Sequence, residues 1–480
     1  MSSAAADSPT RTTPEIGTPA QETPTSTSTN RRQPFGQGFL DTISQGWAER
    51  PETLPPARAQ APYAAKRREA VSAAFPGRRL VIPAGELKQR SNDTDYPFRA
   101  HSAFSHLTGW ASDSEPGAVL VFDPRPEGGH DVTLYFRERA DRTTSEFYSD
   151  ASIGEFWIGP RPALAGVASD LGLATAHIDD FESRDGDVEL GEDPELTRFV
   201  SELRLVKDEY EIEQMKLAVE VTARGFDDIV ANLPAIVAHP RGERVVEGVF
   251  HQRARSDGNA VGYDTIAASG PHACYLHWTR NDGSVVPGDL ILIDAGVEVD
   301  SLYTADITRT LPVSGKFTEI QRRVYETVRE AADAAFAAAR PGVKFRTVHE
   351  AAMQVIATRV AEWGLLPVTA EEALDADKGG QHRRYMVHGT SHHLGIDVHD
   401  CAQARRDMYY DGLLEPGMVF TIEPGLYFQI DDVTVPVEYR GIGVRIEDDI
   451  LMTEDGPVNL SASIPRTADE VEAWIARLNP

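Results

Sequence analysis

Four carboxylates and one histidine in the second half of this 480-residue chain stand at the ends of apolar segments or in tight loops. A carboxylate at the end of an apolar strand is costly to bury unless a cation or hydrogen-bond donors meet it. Taken singly, Asp294 before Ala-Gly and Glu423 before Pro-Gly are each explained as turn residues. Five such groups in one domain instead favour a shared site, formed by Asp294, Asp306, His392, Glu423 and Glu447.

These ligand types predict a pair of divalent metal ions. Four carboxylates and one imidazole can hold two ions when two carboxylates bridge them, and with a bridging hydroxide their charge nearly balances that of the ions. Oxygen-rich ligation with one imidazole suits Mn²⁺ first, with Co²⁺, Zn²⁺ or Fe²⁺ as alternatives. Paired ions about 3.5–4 Å apart acidify a shared water and polarise a carbonyl together. The expected chemistry is therefore hydrolysis.

Three further histidines and one arginine are candidates for holding a substrate. Two of the histidines, His277 and His399, are each as readily structural when taken alone. The spacing from His388 to the histidine of the metal set would suit one helix face, but the Gly, Thr and Ser between them favour a loop. Arg445 stands two residues before Glu447 on a predicted strand, so both side chains share a face, with a cross-strand salt bridge as the alternative. The histidines left without a role are His349, His382 and His393.

The elements that must position these side chains follow from apolar patterns and capping signals. Apolar runs predict a buried strand at 290–293, its partner at 306–311, and further strands at 418–423 and 443–447. Capping boxes predict three helices, because Ser/Thr/Asp followed three residues later by Glu or Gln is typical of a helix start. The capping residues are Asp208, Thr318 and Thr347.

Composition divides the chain into three parts. Residues 1–35 are rich in Ser, Thr, Pro and Ala, which predicts a disordered tail. Residues 36–204 contain β-rich runs at 118–122 and 132–136 that are separated by Pro and Gly turns and flanked by helical stretches, which predicts an N-terminal α/β domain. Residues 205–480 alternate strands and helices and carry every candidate metal ligand, which predicts an α+β catalytic domain.

Composition also argues against several classes of protein. The formal net charge of −28 disfavours nucleic acid or an anionic membrane as a partner, because binding phosphate needs clustered Lys and Arg. Two cysteines provide neither a disulfide framework nor a cysteine zinc cluster. No apolar run approaches the roughly 20 residues that span a bilayer. The N-terminal stretch lacks the basic start and apolar core of a secretory signal, so the sequence predicts a cytoplasmic protein.

Five ordered motifs give the chain a family resemblance. They resemble those of the Xaa-Pro aminopeptidases (aminopeptidase P), which belong with prolidase and methionine aminopeptidase to the pita-bread metallopeptidases. The match runs over about residues 205–475, and the segment 90–99 is similar to the N-terminal domain of bacterial-type members. The resemblance implies an α+β, pita-bread catalytic domain behind an N-terminal α/β domain of the creatinase/prolidase type. The motifs read IDAG at 293–296, DITRT at 306–310, HGTSH at 388–392, TIEPGLY at 421–427 and GIGVRIEDD at 441–449.

The resemblance implies a role for each residue of the candidate site. The four carboxylates and His392 match the five metal ligands of the family, with Asp306 and Glu447 bridging the two ions. Glu423 also matches the carboxylate that shuttles protons through the bridging water. The residues that match those holding the substrate and the developing oxyanion are His277, His388, His399 and Arg445.

The resemblance also implies an assembly of several chains. Trp157 is similar to a tryptophan that reaches the active site of a neighbouring subunit in oligomeric members. A homodimer or homotetramer is therefore expected.

The implied function is hydrolysis of the bond between any N-terminal residue and a following proline in peptides. The nearest alternative is prolidase, which has the same site chemistry but cleaves only Xaa-Pro dipeptides. The Thr-Ser pair within 388–392 and the bacterial-type N-terminal domain favour the aminopeptidase. A non-catalytic pita-bread protein that only binds a peptide or a partner is the other alternative, although such proteins typically lack some ligands and all five are present here.

Overall fold

The structure is a computed structural model that describes residues 35–50, 53–92 and 94–480. The tail predicted over 1–35 lies outside these residues, apart from Phe35. Among the described helices, none combines the length and the apolar character needed to cross a membrane.

Helices of very different length are distributed along the described chain, and the longest either precede the strands that carry the candidate ligands or lie between them. In chain order they are α1 (Gln37–Ile43), α2 (Ala61–Ala74), α3 (Ser102–Thr108), α4 (Glu146–Ser149), α5 (Glu155–Ile158), α6 (Leu164–Leu171), α7 (Pro194–Glu202), α8 (Glu209–Ala231), α9 (Leu233–Ala238), α10 (Gly242–Asp257), α11 (Glu319–Ala338), α12 (Arg346–Glu362), α13 (Ala370–Leu374) and α14 (Ala468–Leu478).

The strands are short and form several small sheets. In chain order they are β1 (Leu80–Pro83), β2 (Gln89–Ser91), β3 (Thr94–Asp95), β4 (Val119–Pro124), β5 (His130–Phe136), β6 (Ala174–His177), β7 (Val188–Glu189), β8 (Ala260–Val261), β9 (Ile266–Ser269), β10 (Leu290–Ala295), β11 (Val297–Glu298), β12 (Ile307–Pro312), β13 (Val419–Ile422), β14 (Gly425–Tyr427), β15 (Gly443–Arg445), β16 (Asp448–Thr453) and β17 (Gly456–Asn459).

The described chain divides into two compact units, of which the smaller is built around aromatic side chains. It contains 35–50, 88–92, 94–96 and Arg139–Arg161, and thus α1, α4, α5 and the β2–β3 pair. Its core consists of Ala140, Phe147 and Tyr148, with Phe35, Phe39 and Ile43 packed against them.

The larger unit begins with a five-stranded mixed sheet in the order β6-β5-β4-β1-β7. β4 runs antiparallel to both β1 and β5, whereas the outer strands β6 and β7 run parallel to their neighbours. Alternating apolar residues such as Leu120 and Leu134 are fully buried in its core. The β-rich runs predicted at 118–122 and 132–136 are confirmed as β4 and β5.

The strand pair β10–β12 positions the first two candidate ligands. The two strands pair, as predicted, and run antiparallel with Asp294 opposite Thr308. Opposed residues of an antiparallel pair share one face, and so do residues two apart on one strand. Asp306, which immediately precedes β12, is therefore placed on the same side as Asp294.

A break between two small sheets positions the two glutamates. Ile422 of β13 pairs with Asp448 of β16, whereas Gly425 of β14 pairs with Arg445 of β15. The unpaired residues 423–424 and 446–447 therefore lie opposite each other, and each contributes one glutamate. Strands were predicted at 418–423 and 443–447, and both are present with slightly shorter bounds.

Capping determines where two of the three predicted helices begin. Asp208 caps α8 and Thr318 caps α11, and each forms the predicted capping box with the residue three positions later. The capping box predicted at Thr347 is wrong, because α12 begins at Arg346 and its cap residue, Phe345, makes no side-chain capping bond. The backbone N–H groups of Phe345 and Arg346 instead donate to the carbonyls of Gly412 and Tyr410, so a side-chain cap is unnecessary.

Candidate metal centre

A cavity of about 490 Å³ in the larger unit gathers nearly all of the residues predicted for the site. They reach it from the ends of β10, β13 and β15, from the start of β12, from the stretch between β9 and β10 and from the loop 388–399. Residues 388–392 form a loop, as predicted, and not a helix. The predicted residues that line the cavity are Asp294, Asp306, His392, Glu423, Glu447, His277, His388, His399 and Arg445.

The carboxylates of the cavity surround His392. Its Nε2 lies 3.3 Å from Oδ2 of Asp306 and 3.7 Å from Oε1 of Glu423. One donor atom each from Asp306, His392 and Glu447 lie within 4.8 Å of one another. The Tyr263 hydroxyl connects Asp294 to Asp306. The structure thus brings all five candidate ligands to one place.

Burial of these carboxylates opposes their ionisation. Burial, opposed by His392 and Arg445 and reinforced by Asp306, raises the pKa of Glu423 to about 7. Burial and neighbouring carboxylates also raise the pKa of Asp306 and, further, that of Glu447. A buried cluster of this kind needs positive charge to be stable as carboxylates. Oxygen donors with one imidazole suit hard or borderline divalent ions, so the residues present fit a metal pair.

His392 is oriented to present one particular nitrogen to the cluster. Its Nδ1 lies 3.1 Å from the carbonyl oxygen of His393, which can only accept, so Nδ1 carries a proton. In the neutral ring, Nε2 then has a free lone pair facing Asp306, which is the arrangement that a ligating histidine requires. Although burial opposes protonation, the carboxylates of Asp306 and Glu423 raise the pKa of His392 to about 9.

Arg445 faces the cavity and also forms a salt bridge. Its guanidinium lines the cavity and forms an ion pair with Asp294. The same group donates to the hydroxyl of Tyr427 at 3.2 Å and to Oγ1 of Thr308 at 3.1 Å. The arginine is therefore fixed at the cavity wall by three partners on different elements.

His388 and His399 are held in neutral form. Nδ1 of His388 donates to the carbonyl of Gly389, and its Nε2 lies 2.8 Å from the hydroxyl of Tyr427. Burial and Arg445 lower the pKa of His388 to about 3. The ring of His399 stacks on His392 at a centroid distance of 4.1 Å, and burial together with His392 lowers its pKa.

Two residues of the site, Tyr263 and Thr308, received no role from the sequence. The Tyr263 hydroxyl lies 2.6 Å from Oδ1 of Asp294 and 2.5 Å from Oδ1 of Asp306. Thr308 donates to Oε2 of Glu447 at 2.7 Å. Thr308 belongs to one of the five motifs, so its motif membership was an available signal, whereas a lone tyrosine ahead of β9 carries no such signal.

Trp157 belongs to the smaller unit. Its indole N–H donates to the carbonyl of Tyr148 at 2.8 Å. The side chain is nevertheless 49 % exposed, as are its neighbours Phe156 at 60 % and Ile158 at 54 %.

Two family models match the chain. The model described as metallopeptidase family M24 matches residues 213–454. The model described as the N-terminal domain of aminopeptidase P matches residues 63–187.

Curated proteins and a solved structure show the same likeness over most of the chain. Xaa-Pro aminopeptidase 2 of Streptomyces coelicolor is 51 % identical over 454 residues, which cover 90 % of this chain and 94 % of that protein. Xaa-Pro aminopeptidase of Escherichia coli is 34 % identical, with coverage of 85 % and 96 %. The structure of Pseudomonas aeruginosa aminopeptidase PepP matches with a TM-score of 0.74 at 31 % identity, over 88 % of this chain and 99 % of that one. The predicted fold class, an α+β pita-bread domain with an N-terminal α/β domain, is confirmed.

Proposed function

The chain belongs to metallopeptidase family M24, and from this membership we propose that it is a metal-dependent Xaa-Pro aminopeptidase. It removes the N-terminal residue from peptides whose second residue is proline. The observation that carries the proposal is the single cavity in which four carboxylates, one histidine and the substrate-holding candidates meet. The relatives named Xaa-Pro aminopeptidase support the substrate class.

We assign the metal pair to the five residues that the sequence suggested. Asp306 and Glu447, which the family resemblance implies as shared ligands, would hold the ions together with His392, because one donor atom of each lies within 4.8 Å of those of the other two. When bound, the ions lower the pKa of a water and polarise the substrate carbonyl. Manganese is the first choice, with cobalt, zinc or iron as alternatives. The full ligand set is Asp294, Asp306, His392, Glu423 and Glu447.

The other side chains move the proton and hold the substrate. Glu423, with Oε2 3.6 Å from Nδ1 of His388, takes a proton from the attacking water and passes it to the imino nitrogen of the proline. The substrate and the oxyanion that develops from its carbonyl are held by His277, His388, His399 and Arg445.

The test is hydrolysis by metal-stripped protein that has been reconstituted separately with manganese, cobalt and zinc. We expect a Xaa-Pro-Yaa tripeptide to be cleaved only after reconstitution, and an Asp306→Asn variant to bind less metal and to remain at least 100-fold less active. Cleavage of Xaa-Pro dipeptides alone would favour prolidase. Fewer than one ion per chain with no chelator-sensitive activity would favour a protein that only binds peptides.

We also propose a homodimer or homotetramer in which Trp157 reaches the active site of a neighbouring chain. Three consecutive exposed apolar residues, 156–158, support an interaction surface at this position. Sedimentation of the purified protein as a monomer would contradict this proposal.

We place the protein in the cytoplasm, since Cys274 and Cys401 are free, buried thiols of the kind kept in reducing compartments.

A further inference from the structure

Outside the cavity lining, one buried carboxylate accepts an unusual number of hydrogen bonds. Glu243 lies in the first turn of α10, and its side chain is completely buried. Its Oε1 accepts from the backbone N–H of Ser269 at 2.8 Å and lies 2.8 Å from Nδ1 of His272. Its Oε2 accepts from the indole N–H of Trp278 at 3.0 Å and from the backbone N–H of Gly283 at 2.6 Å. Each carboxylate oxygen of Glu243 therefore has two hydrogen-bond partners.

These four donors span a single stretch of chain that we call the 269–283 segment. It leaves β9 at Ser269 and passes His277, which lines the cavity, before reaching Gly283. Among the described residues, none forms a hydrogen bond with the imidazole of His277. Its place therefore depends on the backbone of the segment, and above all on the directly following Trp278.

Two side chains of the segment pack against the ring of Trp278. Its ring stacks on the ring of His272 at a centroid distance of 3.9 Å, and the guanidinium of Arg280 lies 5.1 Å from its centroid. Gly283 permits the close approach, because a Cβ at this position would lie 2.8 Å from Oε2 of Glu243 and 2.8 Å from Cε1 of His272. The backbone at position 283 therefore packs directly against Glu243 and His272, which leaves no room for a larger residue at this position.

We propose that Glu243 is a positioning residue, which sets the place of His277 in the cavity without touching the substrate itself. This inference rests on the proposed function, in which His277 holds the substrate and the developing oxyanion. A displacement of about 1 Å in such a contact lowers the rate by as much as about 100-fold. Glu243 therefore acts on catalysis through the geometry of the 269–283 segment.

The first test is Glu243→Gln in the metal-loaded protein. The amide nitrogen that replaces one oxygen faces two donors, so about two of the four hydrogen bonds are lost. We expect kcat to fall roughly 10- to 100-fold with KM changed less than about threefold and metal content unchanged. Hydrogen exchange should become faster at the backbone amide of Ser269 or of Gly283, whichever one faces the new amide nitrogen, and this readout is independent of activity.

A double-mutant cycle separates positioning from general structural damage. In a His277→Ala background, Glu243→Gln should lower kcat less than about threefold, because the residue that it positions is already absent. Equal losses in both backgrounds would overturn the inference while leaving the proposed function intact. A fully active His277→Ala variant would overturn the role of His277 and, with it, the inference.

Glu472→Gln is the matched control. Glu472 is also buried and accepts from three donors, the backbone of Phe317 at 3.1 Å, Lys316 at 2.8 Å and Arg322 at 2.6 Å, but it does not line the cavity. The Glu472→Gln substitution should lower the free energy of unfolding without lowering kcat. A similar fall in kcat for both variants would overturn the inference.

Gly283→Ala keeps the inference testable if Glu243→Gln fails to fold. The added methyl group should displace the carboxylate and the ring of His272, so that kcat falls while KM and metal content are retained. A folded Gly283→Ala variant with wild-type kcat would contradict the proposal.

Discussion

At the scale of single residues, the cavity depends on hydrogen bonds that hold its carboxylates in place. The Tyr263 hydroxyl touches Asp294 and Asp306 together, and Thr308 donates to Glu447. Arg445 forms an ion pair with Asp294. Partners of this kind fix the direction of a ligand's lone pairs, and their loss typically weakens metal binding 10- to 100-fold.

We therefore predict that Tyr263→Phe weakens metal binding about 10- to 100-fold, because two neighbouring carboxylates lose the hydroxyl that lies between them. Competition with a chelating dye measures this change directly. Activity at saturating metal should fall less than activity at limiting metal.

Tyr325→Phe is the control for removing a buried tyrosine hydroxyl. Its hydroxyl donates to the carbonyl of Arg466 at 2.9 Å, and it does not line the cavity. Its metal affinity should remain that of the wild type. Equal weakening by both substitutions would show that Tyr263 has no special role.

At the scale of elements, helix starts depend on two different sources of hydrogen bonds. α11 is capped by Thr318, whose side chain accepts from the backbone N–H of Gln321 at 3.3 Å. α12 is capped by the backbone carbonyls of Tyr410 and Gly412. A side-chain cap is local in sequence, whereas backbone caps from 64 and 67 residues away exist only after folding.

Thr318→Ala should lower the free energy of unfolding by about 1 kcal/mol, because an orphan N–H of α11 loses its acceptor. Thr347→Ala, in the first turn of α12, should change it by less than about 0.5 kcal/mol. Urea denaturation at saturating metal measures both, and kcat should not change. A larger effect at Thr347 would contradict this account of the two helix starts.

At the scale of the whole molecule, buried polar groups join distant parts of the larger unit. His106 of α3 is fully buried, and its Nε2 lies 3.2 Å from Oε1 of Glu211 in α8. Arg67 of α2 lies between them, with bonds to the carbonyl of His106 and an ion pair with Glu211. Burial and Arg67 lower the pKa of His106 from 6.5 to about 4, despite the opposing effect of Glu211.

This lowered pKa predicts that stability falls on acidification. Between about pH 6.5 and 4, an unfolded chain takes up a proton at His106 that the folded protein excludes, so the folded state loses stability. Between pH 7.5 and pH 5, the wild type should lose about 2 kcal/mol more than a His106→Gln variant. Urea midpoints at saturating metal measure the difference, and parallel pH profiles would exclude the effect.

The sequence by itself determined the types and order of the groups that line the cavity. Strand ends, capping boxes at Asp208 and Thr318, and five short motifs are all local features, since apolar periodicity and capping act over two to four neighbouring residues. The fold class and the family follow from them. The predicted roles of the individual site residues remain predictions, although their side chains lie together.

Only the tertiary structure decided which residues meet across long stretches of chain. Tyr263 forms a hydrogen bond with Asp306, 43 residues away, and Glu243 accepts hydrogen bonds from donors up to 40 residues away. The two glutamates face each other because strand register, and not sequence distance, opposes 423–424 to 446–447. Such contacts arise when packing fixes the register of whole elements, and no local pattern within either segment specifies the partner.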